Sequence, residues 1–334
     1  MNIVRQRTGT DFAYKQNLYG SGIGIAVLDS GIYPHPDFMN HGSRITAFRD
    51  FVNHRQTPYD DNGHGTHIAG IIAGSGYLSE GKYMGMAPRA HLIILKILDS
   101  KGNGTAETVC RAIEWTVRNR SRFHIHILNI SIGAKAGEET TESRMLIDAA
   151  EYAWDRGLTV VAAAGNNGPA SGSVTSPGTS KKIITVGAAH EITVPEHPSS
   201  SCLFSGRGPT RTCICKPEIL APGFRICSCG HLPAHPYAIR SGTSMASPVV
   251  SGGIALILNK YPDLTNKEVK RCLLKSARPL NYPNPIRAGD SFTSRNAWTA
   301  GAAVINPGCH RRPPALPIIP LMSAVLHPML LFLC

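Results

Sequence analysis

Residues 22–29 read GIGIAVLD, an apolar and partly β-branched run that stops at an aspartate, with Ser30 and Gly31 directly after it. A run this short and this apolar reads as a buried strand. Four more segments share the pattern: HLIILKILD from residue 91, HIHILNISI from 124, LTVVAAAG from 158 and KIITVGAA from 182. Between them, THIAGIIAG, TAETVCRAIEWTVRN and TESRMLIDAAEYAWDRG carry apolar residues at helical spacing, the last closing on Gly157, a residue suited to a helix C-terminus. This alternation predicts a three-layer α/β fold, a mostly parallel β-sheet with helices on both faces. Ligands of such sheets sit beyond the carboxyl ends of the strands. Those ends carry Asp29, then Ser131 and Gly133, then Asn166 within AAAGNNG.

Composition narrows the possibilities. Of the 334 residues 42% are hydrophobic and 17% charged, enough for a buried core and too apolar for disorder over most of the length. The net charge of +12 raises the question of a nucleic-acid or membrane partner, but the basic residues form no long run. Their densest group, Lys267, Lys270, Arg271, Lys275 and Arg278, lies at helical spacing opposite Leu264, Val269 and Leu273. It reads as a solvated helix face, so no nucleic-acid partner is expected. Nine cysteines are an odd number, and the opening MNIVRQRTGTDFAYKQ lacks the apolar segment of a secretory signal. Reduced thiols and a cytoplasmic location are therefore the expectation. From about residue 306 the chain turns Pro-rich and apolar, which divides it into a domain over 1–305 and a tail over 306–334 outside the core. From Leu316 that tail is mostly apolar and just long enough to span a bilayer, although Pro317, Pro320, Pro328 and His327 interrupt it. Membrane association through the tail is the alternative location.

Three segments place an ionisable or nucleophilic residue among small neighbours: AVLDSGI around Asp29, DDNGHGTHIAG around His64 and SGTSMASP around Ser244. Singly, each residue is an ordinary turn or cap residue. Together they supply one chemistry. A serine hydroxyl is a poor nucleophile until an imidazole takes its proton, and the imidazole needs a carboxylate to fix its tautomer and stabilise its charged form. Glycines on either side of His64 leave room for substrate. Pro248 is tolerable only in a first helical turn, which places Ser244 at a helix N-terminus, where free N–H groups favour developing negative charge.

These segments, with FSGRGPT from residue 204 and KPEILAPG from 216, resemble the subtilisin-like serine proteases in that family's order of Asp, His and Ser. The resemblance runs from about Gly20 to Ala277. Only 28 residues precede Asp29, whereas secreted members carry a signal and a folding pro-domain, so the chain resembles the bacterial intracellular branch or is a fragment. The resemblance implies a serine endopeptidase that cleaves proteins or peptides through an acyl-enzyme without an organic cofactor. It implies Asp29 as the orienting carboxylate, His64 as general base and then acid, Ser244 as nucleophile, and Asn166 as oxyanion donor beside the Ser244 N–H. His67 becomes a packed neighbour of the site. Gly102, Asn103 and Gly104 match one edge, and Ser131, Ile132 and Gly133 the other, of a groove that pairs with an extended peptide. The first specificity pocket is expected between Ala162, Ala163, Ala164 and Gly165 on one side and Ser176, Pro177 and Gly178 on the other, with Asn167 near its mouth. Its small, neutral wall suggests a large apolar residue before the cut bond, and Asp60 and Asp61 suggest a basic residue one position further back. A silent scaffold of the same fold is the competing reading, but all four chemical residues are present.

Metals stay open at this point. Many relatives bind calcium through an Asn-rich loop after the histidine helix, where this chain reads GSGYLSEGKYMGMAP. Asp37 matches one family calcium ligand, yet its usual partners are not evident, so a structural calcium has no recognisable loop. Cys213, Cys215, Cys227 and Cys229 form two CxC pairs, closer than the spacing usual for structural zinc, and read as reduced thiols.

Overall fold

The computed structural model describes residues 1–40, 42–134, 140–189, 204–279 and 317–318. Seven parallel strands form its sheet: β1 (Gly24–Asp29), β2 (Ile45–Asp50), β3 (His91–Lys96), β4 (Ile125–Ile130), β5 (Thr159–Ala163), β6 (Ile184–Ala189) and β7 (Ile219–Pro222). Their order is β2-β3-β1-β4-β5-β6-β7. All five strands read from the sequence are present. β2 was not among them, because an edge strand buries little; its ITAFRD is mostly half-exposed and lacks a continuous apolar run. Two-residue strands at Arg278–Pro279 and Pro317–Ile318 extend the β7 edge. Apart from residues 317–318, the tail expected over 306–334 lies outside the described residues.

The helices in chain order are α1 (Asn2–Thr8), α2 (Thr10–Tyr14), α3 (Pro36–Met39), α4 (His64–Ala73), α5 (Ala106–Arg118), α6 (Thr141–Asp155), α7 (Thr243–Lys260) and α8 (Asn266–Ser276). α4 and α7 pack together on one face of the sheet and α5 with α6 on the other, which gives the three predicted layers. Gly157, at φ +84°, closes α6 with its N–H on the Trp154 carbonyl, as its sequence suggests. A hairpin of β8 (Ile226–Leu232) and β9 (His235–Arg240) stands outside the sheet and packs on α4. Neither hairpin strand has an apolar run long enough to announce it.

Two expectations change here. Pro248 lies in the second turn of α7, not the first, and is buried there. Having no N–H, it leaves the Ser244 carbonyl without its helical donor; tertiary packing carries the cost, since nearly every residue from Thr243 to Leu258 is buried. α8 buries Val269 and Leu273 as expected, but Lys270 is not part of a solvated face. Its Nζ donates to the Ile183 carbonyl and pairs with Glu218 at 2.8 Å, docking the helix on the β6–β7 region.

The topology decides where chemistry can occur. The chain builds β2 and β3 on one side of β1 and β4 to β7 on the other, so β1 lies at the switch point. A crevice opens beyond the carboxyl end of such a strand. Asp29 is the last residue of β1, and Ile25, Val27 and Leu28 behind it are fully buried, each worth roughly 1.5–3 kcal/mol to the strand's anchoring.

Candidate active site

Asp29 is fully buried, and its Oδ1 accepts from the Ser30 N–H at 2.8 Å and from His64 Nδ1 at 2.7 Å. Oδ2 has no hydrogen-bond partner among the described residues. His64 opens α4 behind Gly63, which has φ +87°. The flanking glycines are demanded by packing: a methyl on Gly63 would collide with the His231 imidazole, and one on Gly65 with the Gly31 carbonyl. Burial pulls the His64 imidazole down, but the charge and the hydrogen bond of Asp29 outweigh it, and His64 titrates above its ordinary value. Arg240 opposes this rise and Asp60 supports it.

Asp60 and Asp61, which the sequence suggested as contacts for a basic substrate residue, are both engaged by groups of the protein itself. Asp60 Oδ1 accepts from Ser30 Oγ and the N–H groups of Asn62 and Gly63, while Oδ2 accepts from the N–H and hydroxyl of Thr66. This buried carboxylate caps α4, and its donors hold it ionised below the ordinary range despite burial. Asp61 pairs at 2.6 Å with Lys96, whose side chain is fully buried and also donates to the carbonyls of Ser30 and Leu98. A cation that ties three loop segments together was overlooked in the sequence, although a charge closing the apolar run HLIILK is a visible signal.

His67, three residues after His64, faces the hairpin. Its Nε2 donates to the carbonyls of Ile226 and Ala238, both at 3.1 Å. Burial foremost, then the nearby charges of Arg240 and His64, pushes its pKa down to about 3, so it is neutral at working pH.

Ser244 is the second residue of α7 and half-buried. Its Oγ donates to the Ser131 carbonyl at 2.9 Å rather than to His64. Asn166 is exposed beside it, and its Oδ1 accepts from Thr243 N–H at 2.9 Å and Thr243 Oγ at 3.0 Å. Only the amide oxygen can take those donors, so Nδ2 is the end left to donate elsewhere. Below this level Asn129 donates to Ser131 Oγ, Ser131 pairs with Ser247, and Ser251 donates back to Asn129. This buried polar ladder locks the end of β4 to α7.

Both predicted groove edges and His64 line one cleft of about 590 Å³, together with Asn62 and Leu98. Gly102, Asn103 and Gly104 are preset by Asp99, which accepts from the N–H groups of Lys101 and Asn103 at 2.9 and 2.8 Å. Across the cleft, Ser131, Ile132 and Gly133 continue into Ala134, whose N–H meets the Ser176 carbonyl at 3.0 Å. The two expected pocket walls meet at Thr175: its N–H donates to the Ala164 carbonyl, and a methyl on Gly133 or Gly165 would strike its side chain. Ala162, Ala163 and Ala164 are buried, while Asn167 is exposed next to Asn166. Thr175, Thr243 and Arg240 are the residues of this site that sequence reading missed.

Cys213, Cys215, Cys227 and Cys229 do not gather; among the described residues the one group of metal-ligating side chains is His35, Asp37 and Cys229. No helix of the described residues is long and apolar enough to cross a membrane.

Comparison with known proteins agrees with this geometry. The model of the subtilase family matches residues 20–297. Serine protease AprX of Bacillus subtilis (strain 168) is 43% identical over 275 residues, which are 77% of this chain and 62% of that relative, so the chain spans less than two thirds of its length. Subtilisin Savinase of Lederbergia lenta is 33% identical over 277 residues, 83% of this chain and 91% of the relative. Among solved structures, a cold adapted subtilisin-like serine proteinase superposes with a TM-score of 0.64 at 31% identity, covering 80% of this chain and 86% of that one. A family match of this extent, on a parallel sheet whose switch-point strand delivers Asp29 to His64, makes the chain a member of the subtilase family.

Proposed function

We propose that the chain is a serine endopeptidase in which Ser244 attacks the peptide carbonyl, His64 moves the proton and Asp29 holds His64 in register. The observation that carries this is the 2.7 Å bond between Asp29 Oδ1 and His64 Nδ1, because it fixes Nδ1 as the protonated nitrogen and leaves Nε2 as the base. In the resting arrangement the Ser244 hydroxyl rests on the Ser131 carbonyl. An extended substrate pairing along Ser131–Gly133 competes for that carbonyl, and the hydroxyl turns to His64 Nε2; catalytic hydrogen bonds commonly tighten only with substrate present.

Ser244 Oγ then bonds to the carbonyl carbon while its proton passes to Nε2. The oxyanion is met by the Ser244 N–H, available because it lies in the first turn of α7, and by Asn166 Nδ2. His64 gives its proton to the leaving amine, and water repeats the sequence to free the acid. The small, neutral walls around Thr175 favour a large apolar residue before the cut bond. The odd number of cysteines in the sequence is in keeping with a reducing, cytoplasmic setting.

A fluorophosphonate probe tests the assignment. The wild-type chain is expected to label and the Ser244→Ala chain to remain unlabelled. Labelling that persists in Ser244→Ala overturns it.

A further inference from the structure

His35, Asp37 and Cys229 come together, all buried, where α3, the turn after α4 and the β8–β9 hairpin meet. Asp37 is the position at which family resemblance implies a calcium ion, so the fit of such an ion can be judged from the atoms around it. Calcium needs about six to eight oxygen ligands at roughly 2.3–2.6 Å, each with a lone pair aimed at the ion.

The lone pairs here face hydrogens. Asp37 Oδ2 accepts from the Gly76 N–H at 3.1 Å, the Tyr237 hydroxyl at 2.9 Å and the Cys229 thiol at 3.7 Å, and Oδ1 accepts from the Leu78 N–H at 3.1 Å. The Asp37 carbonyl takes the Ser75 N–H and the Arg44 guanidinium. The Gly76 carbonyl accepts from the N–H groups of Ser79 and Gly81, turned into its own loop. His35 Nδ1 accepts from the Asp37 N–H, and its Nε2 donates to the Pro236 carbonyl. One carboxylate with a nitrogen and a sulfur neighbour is also a poor donor set for a hard cation, and the Arg44 charge repels one. The residues present do not fit calcium.

We propose that this junction is a metal-free substitute for the calcium site, in which protein N–H, O–H and S–H donors staple the loop after α4 and the hairpin to Asp37. The staple holds the hairpin whose carbonyls anchor His67, and so supports the helix that presents His64.

Its test needs no catalytic activity, so its outcome is separate from that of the proposed reaction. Hydrogen exchange over residues 74–85 and the thermal midpoint are measured on the full chain carrying Ser244→Ala, which prevents self-digestion, in millimolar calcium and in excess chelator. Both quantities are expected to be the same in the two media. Asp37→Asn should lower the midpoint by several degrees equally in both, with faster exchange at Gly76 and Leu78. If Asp37→Asn does not fold, Tyr237→Phe removes a single donor and should give a smaller drop, again equal in both media. Slower exchange over residues 74–85 in calcium overturns the proposal. A calcium-dependent midpoint with unchanged exchange in this segment places the ion elsewhere and upholds it.

Discussion

Two histidines one turn apart on α4 carry the same side chain into opposite circumstances. His64, at its first turn, meets a buried carboxylate and titrates above its ordinary value; His67, one turn on, meets two backbone carbonyls of the hairpin and is held neutral. Both rings are pulled down by burial, so burial does not separate them. The partner does: a full negative charge at 2.7 Å outweighs desolvation, whereas carbonyl dipoles do not. One histidine is thereby equipped to move protons and the other to hold a hairpin in place.

The contrast can be attacked from both sides. The largest effect should come from His64→Ala, which should lower kcat by about 10⁶-fold, the magnitude known for subtilisin itself. A variant that keeps more than a hundredth of its activity would remove His64 from the chemistry. Asp29→Asn should cost about 10⁴-fold in kcat through the wrong tautomer. It also gives the sign of the pH dependence. Because His64 is raised in the folded chain, wild-type kcat/KM should climb with pH through an inflection above 6.5, and loss of the Asp29 charge should move that inflection to lower pH. An inflection that stays put would mean that another group titrates.

Asn166→Ala should lower kcat by about 10²–10³-fold with KM nearly unchanged, again as in subtilisin. A change confined to KM would assign Asn166 to ground-state binding instead. One turn along α4, His67→Ala should leave kcat within a few-fold while costing about 3 kcal/mol of stability, measured by denaturant unfolding, since it opens a cavity and strips two carbonyls of their donor. His67 has a folded pKa of about 3 against 6.5 in the unfolded chain, so its contribution is complete above pH 6.5 and is lost as the pH falls toward 3. Wild-type stability should therefore decline with acid below pH 6.5, and the variant should decline less steeply. The smallest effect is expected from Arg240→Gln: removing the cation that opposes protonation of His64 should shift the kinetic inflection upward. A downward shift would show that Arg240 acts through Asn62, whose carbonyl it touches, rather than through charge.

How much was legible follows from how local each signal is. GIGIAVLD and its four companions announce buried strands because a parallel sheet, covered on both faces, needs continuous apolar runs. Asp29, His64, Asn166 and Ser244 stand in short segments whose small neighbours were already conspicuous. β2, β8 and β9 lack such runs, one as an edge and two as a hairpin beyond the sheet, so their pairing is visible only in space. The donors of Asp60 and Asp61 were hidden for a related reason: they come from Ser30, Thr66 and Lys96, the farthest 35 residues away. Pro248 misled because local helix rules place it in a first turn, while the packing around α7 tolerates it one turn later.

By itself, the sequence determined the layer order, the strand that ends in Asp29 and the residue types needed for acyl transfer, because periodicity and short motifs are properties of neighbours along the chain. Only the tertiary structure decided which carbonyls hold His67 neutral, which aspartates enter caps and ion pairs, and that Asp37 is surrounded by hydrogen-bond donors. Those outcomes depend on what the fold brings within about 3 Å of each polar atom, and at that distance partner and desolvation, not residue type, set charge and chemistry.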